Sequence, residues 1–272
     1  MKIVAVANQK GGTGKTTTAV MMSAVLADWD YRVLLIDLDP QSSATECLTD
    51  PGRVKTHVGD VLVEPRIDIK KAILQPQRQL PNLHLIPSKP TMLIDEYYGR
   101  YAGLLPLTLR QKIEPLKEEK EYDFIVLDCP PNLLHFTRNG LCAADFVLIP
   151  LEPEPLAVSG CRELATAILP DIQKAYNPTI RIIGVLLVWR APRTRIYLPA
   201  RARREIDAFL GKGFRFDTEI RLDQSLAMMP AYRKPANLYA RTSPGVVDYY
   251  NFVDELIARI EVFQRRDEEE VL

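Results

Sequence analysis

Residues 3–7, 33–36, 124–127, 146–150 and 182–188 are short, nearly unbroken apolar runs separated by helix-length segments. A strand that is apolar at every position, rather than at alternate ones, must be covered on both faces. That is the condition of a parallel sheet held between two helix layers. The spacing therefore predicts a doubly wound α/β domain with a mostly parallel sheet and helices on both faces. Helices are expected at 16–29 directly after the first run, at 159–175, at 199–210, and from Pro244-Gly245 onward. In the last of these Val246, Tyr250, Val253, Ile257 and Ile260 recur at helical spacing. One domain over residues 1–265 is expected, followed by an acidic tail, 266–272, that carries Asp267-Glu268-Glu269-Glu270. Between 50 and 120 prolines are frequent and periodicity is weak, so this stretch reads as loops and helices around one strand at 83–87.

With 272 residues, 47% of them hydrophobic, the chain can bury one sizeable core without a second domain. Lys+Arg and Asp+Glu both number 35, so any attraction to nucleic acid or an anionic membrane must come from a local patch. Cys47, Cys129, Cys142 and Cys161 stand apart with no C-x-x-C pair, and His57, His84 and His135 lack metal-ligand spacing. No apolar run approaches the roughly 20 residues of a membrane span. The strand-like start at Met1 has no signal-peptide character. Together these features predict a cytoplasmic protein with no structural metal.

Between the first apolar run and the first helix lies Asn8-Gln9-Lys10-Gly11-Gly12-Thr13-Gly14-Lys15-Thr16-Thr17. A glycine-rich turn there brings backbone N–H groups and a helix N-terminus against phosphates. In such a loop Lys15 should reach the β- and γ-phosphates and the Thr16 hydroxyl should ligate Mg²⁺. The strict G-x-x-x-x-G-K-[ST] pattern fails, because Gln9 stands where its first glycine belongs and a second lysine, Lys10, follows. A lysine at that point could project toward a second copy bound face to face. The K-G-G-T-G-K-T run resembles the deviant-Walker ATPases of the ParA/MinD family. That resemblance implies a role for Lys10 in trans, reaching the partner's phosphates across an ATP-bound homodimer.

Two further strands end in carboxylates. Val33-Leu34-Leu35-Ile36-Asp37-Leu38-Asp39-Pro40 places two aspartates at alternate positions on the edge where open α/β sheets bind ligands. Phe124-Ile125-Val126-Leu127-Asp128-Cys129-Pro130-Pro131 has Walker B form, so Asp128 should hold Mg²⁺. Cys129 reads as a small buried filler. The family match makes Asp39 the residue that positions the attacking water, with Asp37 supporting the magnesium shell. Catalytic work is thus expected of Lys10, Lys15 and Asp39, nucleotide binding of residues 10–17, and metal binding of Thr16, Asp37 and Asp128. ATP and Mg²⁺ are the expected cofactors.

The resemblance extends through Leu85-Ile86-Pro87-Ser88, Ala144-Asp145 and Thr242-Ser243-Pro244-Gly245, as in short ParA partition ATPases. It departs where relatives carry Ile-Pro-Arg, since this chain has Ile220-Arg221-Leu222, and the neighbouring strand end reads Val188-Trp189. Arg221 is the candidate there for contact with nucleotide.

From Arg190 to Arg204 the chain holds six arginines and no acid, a local positive patch suited to nucleic-acid phosphate. Arg193-Thr194 falls where ParA relatives have an Arg-Thr implicated in non-specific DNA binding. Arg193, Arg195, Arg201, Arg203, Arg204 and Arg221 are therefore the expected DNA contacts. The resemblance implies a nucleoid-associated ATP dimer and a ParB-like or other cargo adaptor that stimulates hydrolysis, with no membrane partner. Two rivals remain at this stage. A MinD-like membrane switch would want a basic amphipathic C-terminal helix, and this chain ends in acids. A P-loop enzyme or iron-sulfur carrier of the nitrogenase iron protein type would want a substrate motif or paired cluster cysteines.

Overall fold

In the computed structural model, which describes residues 1–189 and 197–270, seven strands form one sheet. They are β1 (Lys2–Val6), β2 (Val33–Asp37), β3 (Leu83–Ile86), β4 (Phe124–Asp128), β5 (Phe146–Leu151), β6 (Arg181–Val188) and β7 (Arg215–Ile220). Their order across the sheet is β3-β2-β4-β1-β5-β6-β7, and every neighbouring pair is parallel. The α-helices are, in chain order, α1 (Lys15–Asp28), α2 (Ser43–Leu48), α3 (Val58–Val63), α4 (Thr91–Tyr97), α5 (Thr108–Glu118) and α6 (His135–Ala143). They continue with α7 (Pro155–Glu163), α8 (Leu169–Ala175), α9 (Tyr197–Leu210), α10 (Gln224–Ala227), α11 (Met229–Tyr232) and α12 (Pro244–Glu270).

The pleat of β1 explains the double layer. Ile3, Ala5 and Ala7 belong to one buried cluster, while Val4 and Val6 belong to the other. On the first face lie the apolar sides of α3, α5, α6, α7 and α8; on the second lie α1 and α12. Helix α1 is buried almost all round from Thr18 to Ala27, as befits a helix covered by both the sheet and α12. Each fully buried side chain such as Leu35 or Met21 contributes about 1.5–3 kcal/mol relative to exposure.

Strand β7 departs from the sequence pattern. Arg215, Asp217 and Glu219 alternate with the buried Phe216 and Ile220, so β7 is half-buried at the edge of the sheet and offers no continuous apolar run. Its edge is occupied: the Glu255 carboxylate on α12 accepts from Asp217 N (2.9 Å) and Thr218 N (3.1 Å). At the opposite edge an antiparallel bridge pairs Leu74 with Leu85 on β3. Helix α12 runs unbroken through Glu270, across residues 266–270 that the sequence reading assigned to a tail. Between α7 and α8, residues 164–168 are π-helical, so one helical path runs from Pro155, earlier than position 159.

Candidate nucleotide site

Because β1 lies between β4 and β5, the C-terminal ends of β1, β2 and β4 converge, and the loop after β1 closes over them. Gly12 (φ 75°) and Gly14 (φ 87°) take left-handed backbone that a side chain would strain, and a Cβ on Gly14 would stand 3.0 Å from Val188 Cγ1. Gly14 caps α1, whose first-turn N–H groups face the loop. Lys15 is buried and folds back so that its Nζ donates to Lys10 O at 3.0 Å. Burial pushes the Lys15 ammonium below its ordinary pKa, against the opposing pull of Asp128 and Asp39.

Asp37 and Asp128 are register partners on adjacent strands and both are fully buried. Asp37 is engaged on both oxygens, accepting from Thr45 N (2.8 Å), Thr45 Oγ1 (2.7 Å) and Asp39 N (3.1 Å). Even so, burial raises its pKa to about 7. Asp128 has less support: neither carboxylate oxygen makes a hydrogen bond of ordinary geometry among the described residues, although the Thr16 hydroxyl lies close enough to favour its charged form. Burial, and then the neighbouring Asp37 charge, push its carboxyl well above the usual range, while Thr16 and Lys15 pull it down. Buried polar groups are normally satisfied, so a pair of weakly satisfied carboxylate oxygens beside a lysine and a threonine fits a divalent cation.

Asp39 lies two residues beyond β2 and is partly buried. Its Oδ1 accepts from Gln41 N (2.9 Å) and its carbonyl accepts from Ser88 Oγ (2.7 Å). Ser88 N in turn donates to Thr45 Oγ1 (2.9 Å). Ser88 and Thr45 thus hold the Asp37–Asp39 segment in place. Neither was singled out as a site residue from sequence; the signal was the position of Ser88 just past the end of β3.

A cleft of about 600 Å³ extends from this cradle. Gly11, Gly12, Gly14, Lys15, Thr16, Thr17 and Asp39 line it on the phosphate-loop side; Cys47, Leu226, Met229 and Pro230 give another part of its wall an apolar character suited to a flat ring. Val188, Trp189 and Arg221 also line it.

Two expected roles change in detail. The Arg221 guanidinium is engaged bidentately with the buried Asp248 (2.7 and 2.8 Å) and also reaches Pro244 O. It is therefore a fixed wall of the cleft, tied to α12, and a DNA contact would have to compete with that pairing. In the arginine segment, Arg190, Arg193 and Arg195 lie outside the described residues. On α9, Arg201 pairs with Glu205 and Arg203 with Glu219, whose other oxygen accepts from Trp189 Nε1 (3.0 Å). The acid-free sequence run is partly neutralised in space, because Glu219 arrives from β7. Lys10 pairs through Nζ with Glu154, the residue that caps α7, and both side chains remain partly exposed. All four cysteines are buried and their thiols are pushed up by burial, as fillers would be. Among the described residues no cluster of His, Cys, Asp and Glu could hold a resident structural metal, and no helix is long and apolar enough to cross a membrane.

Comparison with known proteins agrees with this geometry. The family described as "AAA domain" (AAA_31) matches residues 1–182. The chain is 35% identical over 260 residues to the chromosome-partitioning ATPase Soj of Thermus thermophilus, covering 95% of this chain and 96% of that one. It is also 35% identical to the sporulation initiation inhibitor protein Soj of Bacillus subtilis, covering 94% and 98%. Among solved structures, cobyrinic acid a,c-diamide synthase from Mycobacterium smegmatis with bound ADP and magnesium superposes with a TM-score of 0.73 at 27% identity, covering 96% of each chain. The septum site-determining protein MinD of Pyrococcus horikoshii, complexed with Mg-ADP, shares the fold with a TM-score of 0.75 at 22% identity, covering 94% and 95%. A deviant phosphate loop, two converging acidic strand ends and similarity along nearly the whole length leave one conclusion: the chain belongs to the ParA/Soj family of partitioning ATPases.

Proposed function

We propose that this chain hydrolyses ATP with Mg²⁺, that ATP-bound chains pair face to face through Lys10, and that the pair binds DNA without sequence preference. A ParB-like or other adaptor then stimulates hydrolysis and resets the cycle, so that a plasmid, a chromosome region or a protein compartment is partitioned or positioned over the nucleoid. The observation that carries the ATPase reading is the fully buried Asp128 carboxylate, weakly satisfied by protein groups and set beside Lys15 and Thr16 of the glycine loop.

Each step belongs to a residue of the chain. Loop N–H groups and the first turn of α1 receive the phosphates. Lys15 exchanges its bond to Lys10 O for charge-assisted contacts with phosphate oxygens. Thr16 and Asp128 would hold the magnesium ion, while Asp37, locked by Thr45, keeps the adjoining strand end in register. Bound there, the ion supplies neutralising charge to the β- and γ-phosphates. Asp39 orients the attacking water; with Oδ1 held by Gln41 N, the other oxygen is the one available to it. Burial raises the Asp39 pKa above the ordinary carboxylate value, which makes it a stronger proton acceptor. Lys10 must leave Glu154 to reach a partner's phosphates, and the half-exposed ion pair costs little to open. The arginines of α9 and of the segment before it supply phosphate contacts on DNA, and pairing two chains doubles that weak surface.

The test is Asp39→Ala. It should bind ATP and accumulate the ATP-bound pair, seen by light scattering, while turnover falls about 100-fold or more, the scale of a lost acid–base group. Wild-type turnover in this variant would refute the assignment.

A further inference from the structure

The apolar wall of the cleft draws on two short helices that are remote in sequence. Helix α2 contributes Glu46 and Cys47; α11 contributes Met229 and Pro230. Both helices end in carbonyls that the helix itself leaves without a partner. A single side chain from the otherwise illegible stretch before β3 reaches both. Gln77 is 7% exposed, and its Nε2 donates to Leu48 O, the last residue of α2, at 2.9 Å, and to Arg233 O, just past α11, at 2.7 Å. Arg233 sits in left-handed backbone (φ 50°), and its guanidinium adds an ion pair to Asp50 Oδ2 at 3.2 Å, two residues beyond α2. The two walls are thus joined at their rear by one amide and one ion pair. Helix α2 also carries Thr45, which holds Asp37 and Ser88, and Ser88 holds Asp39.

We propose that Gln77 is a positioning residue for the nucleotide. By clamping the Leu48 and Arg233 carbonyls it fixes the separation of the walls that would embrace the base. The inference rests on the reading of the cleft as the ATP site. It goes beyond that reading in giving discrimination for the base-bearing end to a residue that touches no phosphate and does not line the cleft.

A ligand made of phosphate alone should not sense the clamp, whereas ATP should. Gln77→Met keeps an unbranched side chain of similar size and removes both donors. Titration calorimetry with Mg²⁺ should show its Kd for ATP raised about tenfold, with the Kd for inorganic tripolyphosphate within about twofold of wild type. Tenfold is about 1.4 kcal/mol, the order of the one or two neutral hydrogen bonds removed. Gln77→Asn retains the amide but is one methylene too short to span both carbonyls, and should show the same split. Unchanged ATP affinity in both variants overturns the clamp. So does equal weakening of ATP and tripolyphosphate, which would mark a merely structural contact. Wild-type protein that binds tripolyphosphate and ATP equally well overturns the assignment of a base end, and with it the clamp. Wild-type protein that binds neither overturns the nucleotide reading itself.

Discussion

Asp128→Asn should make the ligand-free protein more stable and the ligand-loaded protein less so. In the wild type a fully buried carboxyl adjoins Asp37, and neither of its oxygens makes a hydrogen bond of ordinary geometry among the described residues. An unsatisfied buried group of this kind costs about 1–3 kcal/mol, and more when ionised. The amide is nearly isosteric, carries no charge and does not repel Asp37. The amide still lacks partners, so only the charge-related part of that cost is relieved; for a chain of 272 residues, about 1 kcal/mol corresponds to roughly 2–4 °C in Tm by the usual size scaling. The effect has a sign with pH. Burial raises the folded-state pKa of Asp128, so the folded chain holds a proton that the unfolded chain has already released. Wild-type stability is therefore lost as pH rises above about 4, the ordinary carboxylate value, toward the folded pKa, and the advantage of Asn should widen over the same window. Asp37, raised to about 7, titrates in the same direction in the wild type. Saturating Mg-ATP reverses the ranking: binding at 100-fold over Kd stabilises the wild type by about 2.7 kcal/mol, and a variant that cannot hold the cation forfeits most of it. Calorimetric melts at pH 5.5 and 7.5, with and without Mg-ATP, give all four values. A lower Tm for ligand-free Asp128→Asn, or equal stabilisation of both proteins by Mg-ATP, would show that the buried carboxylate is not a cation site.

Lys10→Ala should leave the monomer's melting temperature within about 1 kcal/mol equivalent of wild type, because it removes a partly exposed ion pair, yet abolish the ATP-dependent pair in light scattering. An intact ATP dimer would rule out the trans role. Arg204, whose Nε reaches only back to Ala200 O within α9, is better placed for phosphate than Arg203, which is spent on Glu219. Combining Arg193→Ala with Arg204→Ala should weaken DNA binding for every sequence tried and lower the log–log salt slope by about two, one per contact. An unchanged slope in fluorescence anisotropy would move the DNA surface elsewhere.

The parts that were legible in the sequence are those set by neighbours in the chain. Strands β1, β2, β4, β5 and β6 are buried on both faces and announce themselves as apolar runs, and the glycine loop lies between β1 and α1, where its motif requires it. Strand β7 was missed because an edge strand half in solvent alternates Arg215, Asp217 and Glu219 with its buried residues, and no helix-length apolar spacing brackets it. The segment between 50 and 120 was opaque for a different reason. Its short helices are held by long-range bonds such as those of Gln77 and by Lys112, whose ammonium gathers the carbonyls of Glu64, Pro65 and Ile67. Charge counting along the chain likewise could not foresee two pairings, since Glu219 and Asp248 come from other elements to meet Arg203 and Arg221.

The closed edges of the sheet bear on how such a chain can assemble. An open edge would let copies zip together through backbone bonds that no nucleotide governs. Here Glu255 occupies two N–H groups of β7 and Leu74 occupies part of β3. Strand-to-strand growth is thereby discouraged at both rims, and association is left to surfaces made of side chains and loops. A contact of that kind can be dissolved by changing one group, such as the charge on a bound phosphate. For the ATP-dependent pairing proposed above, blocking the irreversible route would keep the reversible one in command.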